Sequence, residues 1–128
     1  MHIADMTAEE ILKEKINVVG LLGTKYTMSE DFYKSKLIER GINVIIPEEE
    51  EQNTINEIIY NELCKGTIKD DSRKEYVRII EKMVRSGARG IVLGCTEIGL
   101  LIKQKDISVK IFDTTIIHAK KAMEFALK

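Results

Sequence analysis

An excess of charge of either sign is missing from this 128-residue chain: Lys and Arg number 20 and Asp and Glu 21, for a formal net charge of -1. No basic surface is therefore available to hold a polyanion by charge alone, and nucleic acid is excluded as a first choice of partner. Long apolar runs are also absent. None approaches the roughly 18 residues that a membrane span requires, so no membrane is expected as a partner. Proline occurs once, and 44% hydrophobic with 32% charged residues describe a soluble globular chain rather than a disordered, collagen-like or mucin-like one. Cysteine and histidine are scarce: Cys64, Cys95, His2 and His118 form neither a disulfide framework nor a metal-ligand spacing. No metal is expected, and any chemistry rests on one or two thiols. A basic and then apolar leader is lacking too, since Met1 is followed by His2, Asp5, Glu9 and Glu10; a cytoplasmic location is the expectation. One domain over residues 1–128 is expected, burying roughly two-thirds of its unfolded surface, which needs no staple.

What is present is a regular alternation. Four β-branched runs, 17–22, 43–46, 90–93 and 109–112, are apolar on successive residues, as in strands buried on both faces. Helical spacing fills the gaps, most clearly at Ile55, Ile58, Ile59 and Leu63, then Tyr76, Ile79, Ile80, Met83 and Val84. Thr27 with Glu30 reads as a capping box for a helix that Gly41 ends; Gly66 ends the helix carrying Leu63. Asp71 or Ser72 is expected to cap the next helix, which stops at Gly87, and Asp113 the last, at about 114–127. The acidic run Glu48 to Glu51 reads as a solvated helix entrance rather than a cation site. Met83, Met123, Phe32 and Phe125 read as packing. The pattern predicts a three-layer, flavodoxin-like α/β fold with a four-stranded parallel sheet, the strand from Asn17 being central.

In such a sheet, ligands bind beyond the carboxyl ends of the strands, where loops enter helices. Those loops are Gly23-Thr24-Lys25-Tyr26-Thr27, Gly94-Cys95-Thr96-Glu97 and Asp113-Thr114-Thr115, followed by His118. Neither a dinucleotide fingerprint nor a Walker arrangement is present, so a small carboxylate fits better than a nucleotide phosphate. Cys95 falls between a buried strand and a helix start, where N–H dipoles favour the thiolate. A pKa below the roughly 8.5 of a free thiol is expected, and a role as general base, unless it is simply a small apolar residue. Cys64 has no such setting.

The segments Gly20-Leu21-Leu22-Gly23-Thr24, Thr27-Met28 and Gly94-Cys95-Thr96-Glu97-Ile98, in order, resemble the aspartate/glutamate racemase family. The resemblance continues in His2-Ile3-Ala4-Asp5, Ile59-Tyr60, Glu62-Leu63, Lys65-Gly66, Asp113-Thr114-Thr115 and His118-Ala119. It implies a cofactor-independent isomerase of two similar α/β domains, one cysteine from each facing the substrate α-carbon, with one thiolate removing a proton and the opposite thiol returning one. By the same resemblance Cys95 is the second-domain acid/base, Thr96 and nearby N–H groups bind a substrate carboxylate, Thr24 and Thr27 line the cleft and Lys65 helps hold carboxylates. His118 is an auxiliary group, and Glu97 a first-turn helix residue rather than a second base.

The resemblance also implies what this chain lacks: a first domain with its own cysteine and an arginine for the distal carboxylate. Three readings stay open. The chain is a racemase half for a small acidic amino acid, aspartate before glutamate, completed by a second copy or a partner chain; or it is a non-catalytic dicarboxylate-binding module; or it performs single-thiol chemistry of the decarboxylase type.

Overall fold

The computed structural model describes residues 3–29 and 31–126, and the side chains of all of these except 3, 31 and 32. The order is α1 (Ile3–Lys13), β1 (Val18–Leu22), α2 (Lys25–Ser29), α3 (Asp31–Glu39), β2 (Asn43–Ile45) and α4 (Glu49–Asn61). A 3₁₀ turn (Leu63–Lys65) leads to α5 (Asp70–Arg85), β3 (Gly90–Leu93) and α6 (Ile98–Leu101). A second 3₁₀ turn (Gln104–Asp106) precedes β4 (Lys110–Asp113) and α7 (Thr114–Ala126). The four strands form one all-parallel sheet in the order β2-β1-β3-β4, so β1 and β3 are the inner pair.

Alternate side chains of the inner strands feed two cores. Leu22, Ile91 and Leu93 join Ile55, Ile58, Ile59, Tyr76, Ile79, Ile80 and Met83 of α4 and α5 on one face. Val19, Leu21, Val92 and Phe112 join Ala8 and Ile11 of α1, Leu37 of α3 and Ile117 of α7 on the other. This is the expected helix–sheet–helix sandwich, with continuous burial where a strand has helices on both faces and neighbours on both edges. In the edge strands only Phe112 is buried: Asn43 of β2 and Lys110 of β4 are exposed and Val44, Ile45, Ile111 and Asp113 only partly covered, because an edge strand lacks one neighbour. Part of the β4 edge is occupied by a side chain: Gln104 accepts from Ile111 N–H at 2.9 Å and donates to Val109 C=O at 2.7 Å, satisfying backbone groups that would invite another strand.

The helix ends correct several sequence expectations. Helix α2 starts before Thr27, and Thr24 caps it, its Oγ1 accepting from Thr27 N–H at 3.3 Å; Glu30 lies outside the described residues. Gly41, at φ 82°, supplies the left-handed residue after α3. Helix α4 already ends at Asn61, so Gly66 closes the 3₁₀ turn carrying Leu63 instead. Neither Asp71 nor Ser72 caps α5, which starts at Asp70; the Ser72 hydroxyl donates to Glu62 at 2.5 Å. Asp113 does cap α7, accepting from Thr115 N–H at 2.9 Å and Ile116 N–H at 3.3 Å.

The acidic run is a helix entrance, as expected, but is solvated only at Glu48, Glu49 and Glu50. Glu51 is buried, with Lys82 at 3.3 Å and Arg78 at 3.6 Å from its carboxylate. Met83 packs in the core, whereas Met123 and Phe125 are 67% and 82% exposed, against the expectation of packing; the Phe32 side chain lies outside the described residues. Helix α7 meets α1 through Lys121, 3.4 Å from both Glu9 and Glu10, and this contact leaves Met123 and Phe125 open. Among the described residues no helix is long and apolar enough to cross a membrane, and no cluster of three or more acidic, His or Cys side chains is placed to hold a metal.

Candidate functional site

Parallel pairing brings three loops level at one end of the sheet. Leu22 pairs with Leu93 and Leu93 with Asp113, so the chain leaves β1, β3 and β4 side by side. Gly94 N–H donates to Leu22 C=O at 2.7 Å, and the Thr114 hydroxyl donates to Leu93 C=O at 2.9 Å. Thr27 sits over the first two loops. A Cβ at Gly94 would meet its methyl at 3.1 Å and the Leu22 carbonyl at 3.2 Å, so the approach of the loops depends on glycine there. The Thr24 and Thr27 hydroxyls are 3.2 Å apart, and the Thr115 hydroxyl donates to Thr96 Oγ1 at 3.4 Å. The structure thus brings together Thr24, Thr27, Cys95 and Thr96, four of the six residues singled out in the sequence.

Cys95 is half-buried against the α4–α5 core. Its Sγ donates to Glu97 Oε2 at 3.0 Å. Burial, and next the Glu97 carboxylate, push the thiol up to about 11, while the N–H groups of Glu97 and Ile98 act in the opposite direction. This overturns the expectation of a depressed pKa. The N–H groups do face the sulfur, but α6 is four residues long and starts three positions after Cys95, so its dipole is short. Loss of hydration and an adjacent anion outweigh it.

Lys65 is exposed in the 3₁₀ turn that packs on α6, which places it in the neighbourhood of the cysteine loop without a bond to it. His118 is exposed and lines a groove between α1 and α7 with Met6, Glu9, Lys121 and Phe125. Cys64 is exposed on the same turn as Lys65. Sequence reasoning missed the Glu97 contact, whose signal is its position two residues after the thiol. It also missed Thr115, whose only mark is a hydroxyl-rich loop, and Tyr76, whose core spacing conceals that it lies close enough to Cys95 to feel its charge.

An open parallel sheet carries at its carboxyl edge one half-buried thiol, flanked by threonine hydroxyls and backbone N–H groups. The family model for Asp/Glu/hydantoin racemases matches residues 1–122, and the chain belongs to that family. It is 48% identical to a candidate Asp/Glu racemase from Yersinia pestis, with a TM-score of 0.95 over 99% of this chain and 56% of that one. It is 46% identical to an aspartate racemase homologue from Pyrococcus horikoshii OT3, with a TM-score of 0.94 over 100% of this chain and 56% of that one. A Picrophilus torridus aspartate racemase is 25% identical, with a TM-score of 0.68 over 89% of this chain and 47% of its own. A Pectobacterium carotovorum protein from the pnlA 3′ region is 29% identical over 105 residues, 82% of this chain and 69% of that protein. The chain thus spans about half the length of the solved structures it matches.

Proposed function

We propose that this chain is one half of a two-thiol, cofactor-independent racemase-type site acting at the α-carbon of a small acidic amino acid, aspartate before glutamate, with Cys95 as its proton-transfer group. It corresponds in this reading to the second of two similar domains. The observation that carries the proposal is the half-buried Cys95 thiol set among Thr24, Thr27 and Thr96 at the carboxyl edge of a family chain. The Thr96 hydroxyl and the N–H groups of its loop offer donors to a carboxylate, with Lys65 as a nearby cation. His118, an auxiliary group in this reading, lines the groove between α7 and α1.

The half-length match and the single thiol in the cluster also favour a second reading, a dicarboxylate-binding module without turnover. Incubation with L-aspartate in heavy water separates the two, with the α-proton signal followed by NMR. Slow exchange is expected, lost in Cys95→Ala and retained in Cys64→Ala, because exchange needs one working base where inversion needs groups on both faces. Binding without exchange supports the module, and exchange undiminished in Cys95→Ala defeats the assignment of the thiol.

A partner completes the site in this proposal, either a second copy or a chain supplying the other half. Helix α7 supports it: Ile116 and Met123, two turns apart on one side, are 66% and 67% exposed with Ala119 and Ala126 exposed beside them, and Phe125, 82% exposed, adds apolar surface on the opposite side. Apolar surface left open in this way marks an interaction face. Sedimentation velocity of the purified chain at micromolar concentration is expected to show a dimer or larger species, and monomer alone would refute self-association.

A further inference from the structure

We propose that Glu97 is the positioning residue of the Cys95 site: its carboxylate holds the S–H as a donor, so that this half of the site rests as the proton-giving side rather than as the base. The inference rests on the reading of Cys95 as a proton-transfer group and adds to it a direction. The geometry carries it. Sγ to Oε2 is 3.0 Å, and Glu97, immediately before α6, reaches back to the thiol from two residues away. Of the other ionisable groups near this corner, Tyr76 of α5 is fully buried with its hydroxyl committed to Ile55 C=O at 2.8 Å, and Glu62, tied by Ser72, acts on Tyr76. Among the described residues, no cation is one of the leading influences on this thiol. In the donating step the S–H bond breaks, its electron pair stays on sulfur, the proton passes to the α-carbon, and solvent then returns a proton to the thiolate, which the carboxylate makes an unfavoured species.

The test measures the thiol itself. In a Cys64→Ser background, iodoacetamide alkylation is followed against pH for the otherwise native chain and for Glu97→Gln and Glu97→Asp. The native profile is expected to rise with a midpoint of about 11. Glu97→Gln removes the neighbouring anion, so its midpoint moves down and its rate at pH 8 rises, about tenfold for each pH step by which the midpoint falls. Glu97→Asp keeps the charge and is expected to stay nearer the native profile. Coincident native and Glu97→Gln profiles, or slower alkylation of Glu97→Gln, overturn the proposal. Thermal unfolding of each variant is recorded alongside, and the Asp variant keeps the question answerable should the Gln variant unfold. Alkylation requires no amino acid. Retention of α-proton exchange in Cys95→Ala would therefore defeat the functional reading without altering what Glu97 does to the thiol.

Discussion

Purified as the single chain, the protein is expected to return L-aspartate with its configuration intact, accumulating D-aspartate about 10²–10⁴-fold more slowly than a site with a positioned acid and a positioned base, the usual contribution of one such group. Inversion delivers a proton to the face opposite the one that lost it. Cys95 supplies one face, and the only other thiol, Cys64, is exposed on the turn that packs beside α6 in the same domain. The resting thiol deepens the deficit, because with a pKa of about 11 very little thiolate exists near neutrality to start the reaction. Recognition is weakened as well. Arg73, which reaches α6 from α5, spends its guanidinium on Leu101 C=O at 3.0 Å and on the Asp70 carboxylate. It is therefore not free to grip a distal carboxylate, a charged hydrogen bond worth roughly 1.5–3 kcal/mol. Chiral chromatography of the reaction mixture decides the matter. Rapid conversion that Cys95→Ala abolishes and Cys64→Ala does not would mean that two chains assemble a complete site, each contributing its Cys95 across a shared cleft.

Legibility in the sequence followed the range of the forces involved. Strand and helix identity depends on periodic burial, which the runs at 17–22 and 90–93 and the Ile55, Ile58 and Ile59 stripe express locally; strands and helix lie there, to within a residue at the ends of the strands. The three loops were legible for the same reason, since a parallel sheet puts the ends of its strands together whatever their side chains. Cap identity was less so: Thr24 and Thr27 are three residues apart and either could have accepted, the choice falling to how α2 leaves β1. The charge state of Cys95 was misread because helix-start N–H groups are visible in sequence, while desolvation by the core and the reach of Glu97 belong to tertiary structure. Lys65 and His118 entered by motif alone, and a motif carries no direction. His118 shares a helix with Thr115 but lines the groove along α1.

Replacing Tyr76 should produce the largest loss of stability among single changes near the site. Its ring is fully buried among α4, α5 and β3 residues, and its hydroxyl reaches Ile55 C=O at 2.8 Å. Tyr76→Ala removes the whole ring and leaves a cavity, at a cost of about 3–5 kcal/mol, against a total stability on the order of 5–15 kcal/mol for a domain. Tyr76→Phe removes one hydrogen bond, a net loss of roughly 0.5–1.5 kcal/mol, because the Ile55 carbonyl still accepts along α4. Urea unfolding should therefore rank native above Phe and Phe well above Ala. An Ala variant within about 1 kcal/mol of native would show that the corner collapses to fill the space. The same pair of variants reports on Cys95. Burial is the leading cause of its raised pKa, and Tyr76 belongs to the core cluster that buries it. Opening the corner in Tyr76→Ala admits water to the sulfur, so the alkylation midpoint should fall from about 11 towards the ordinary thiol range, while Tyr76→Phe, which keeps the ring in place, should leave it high.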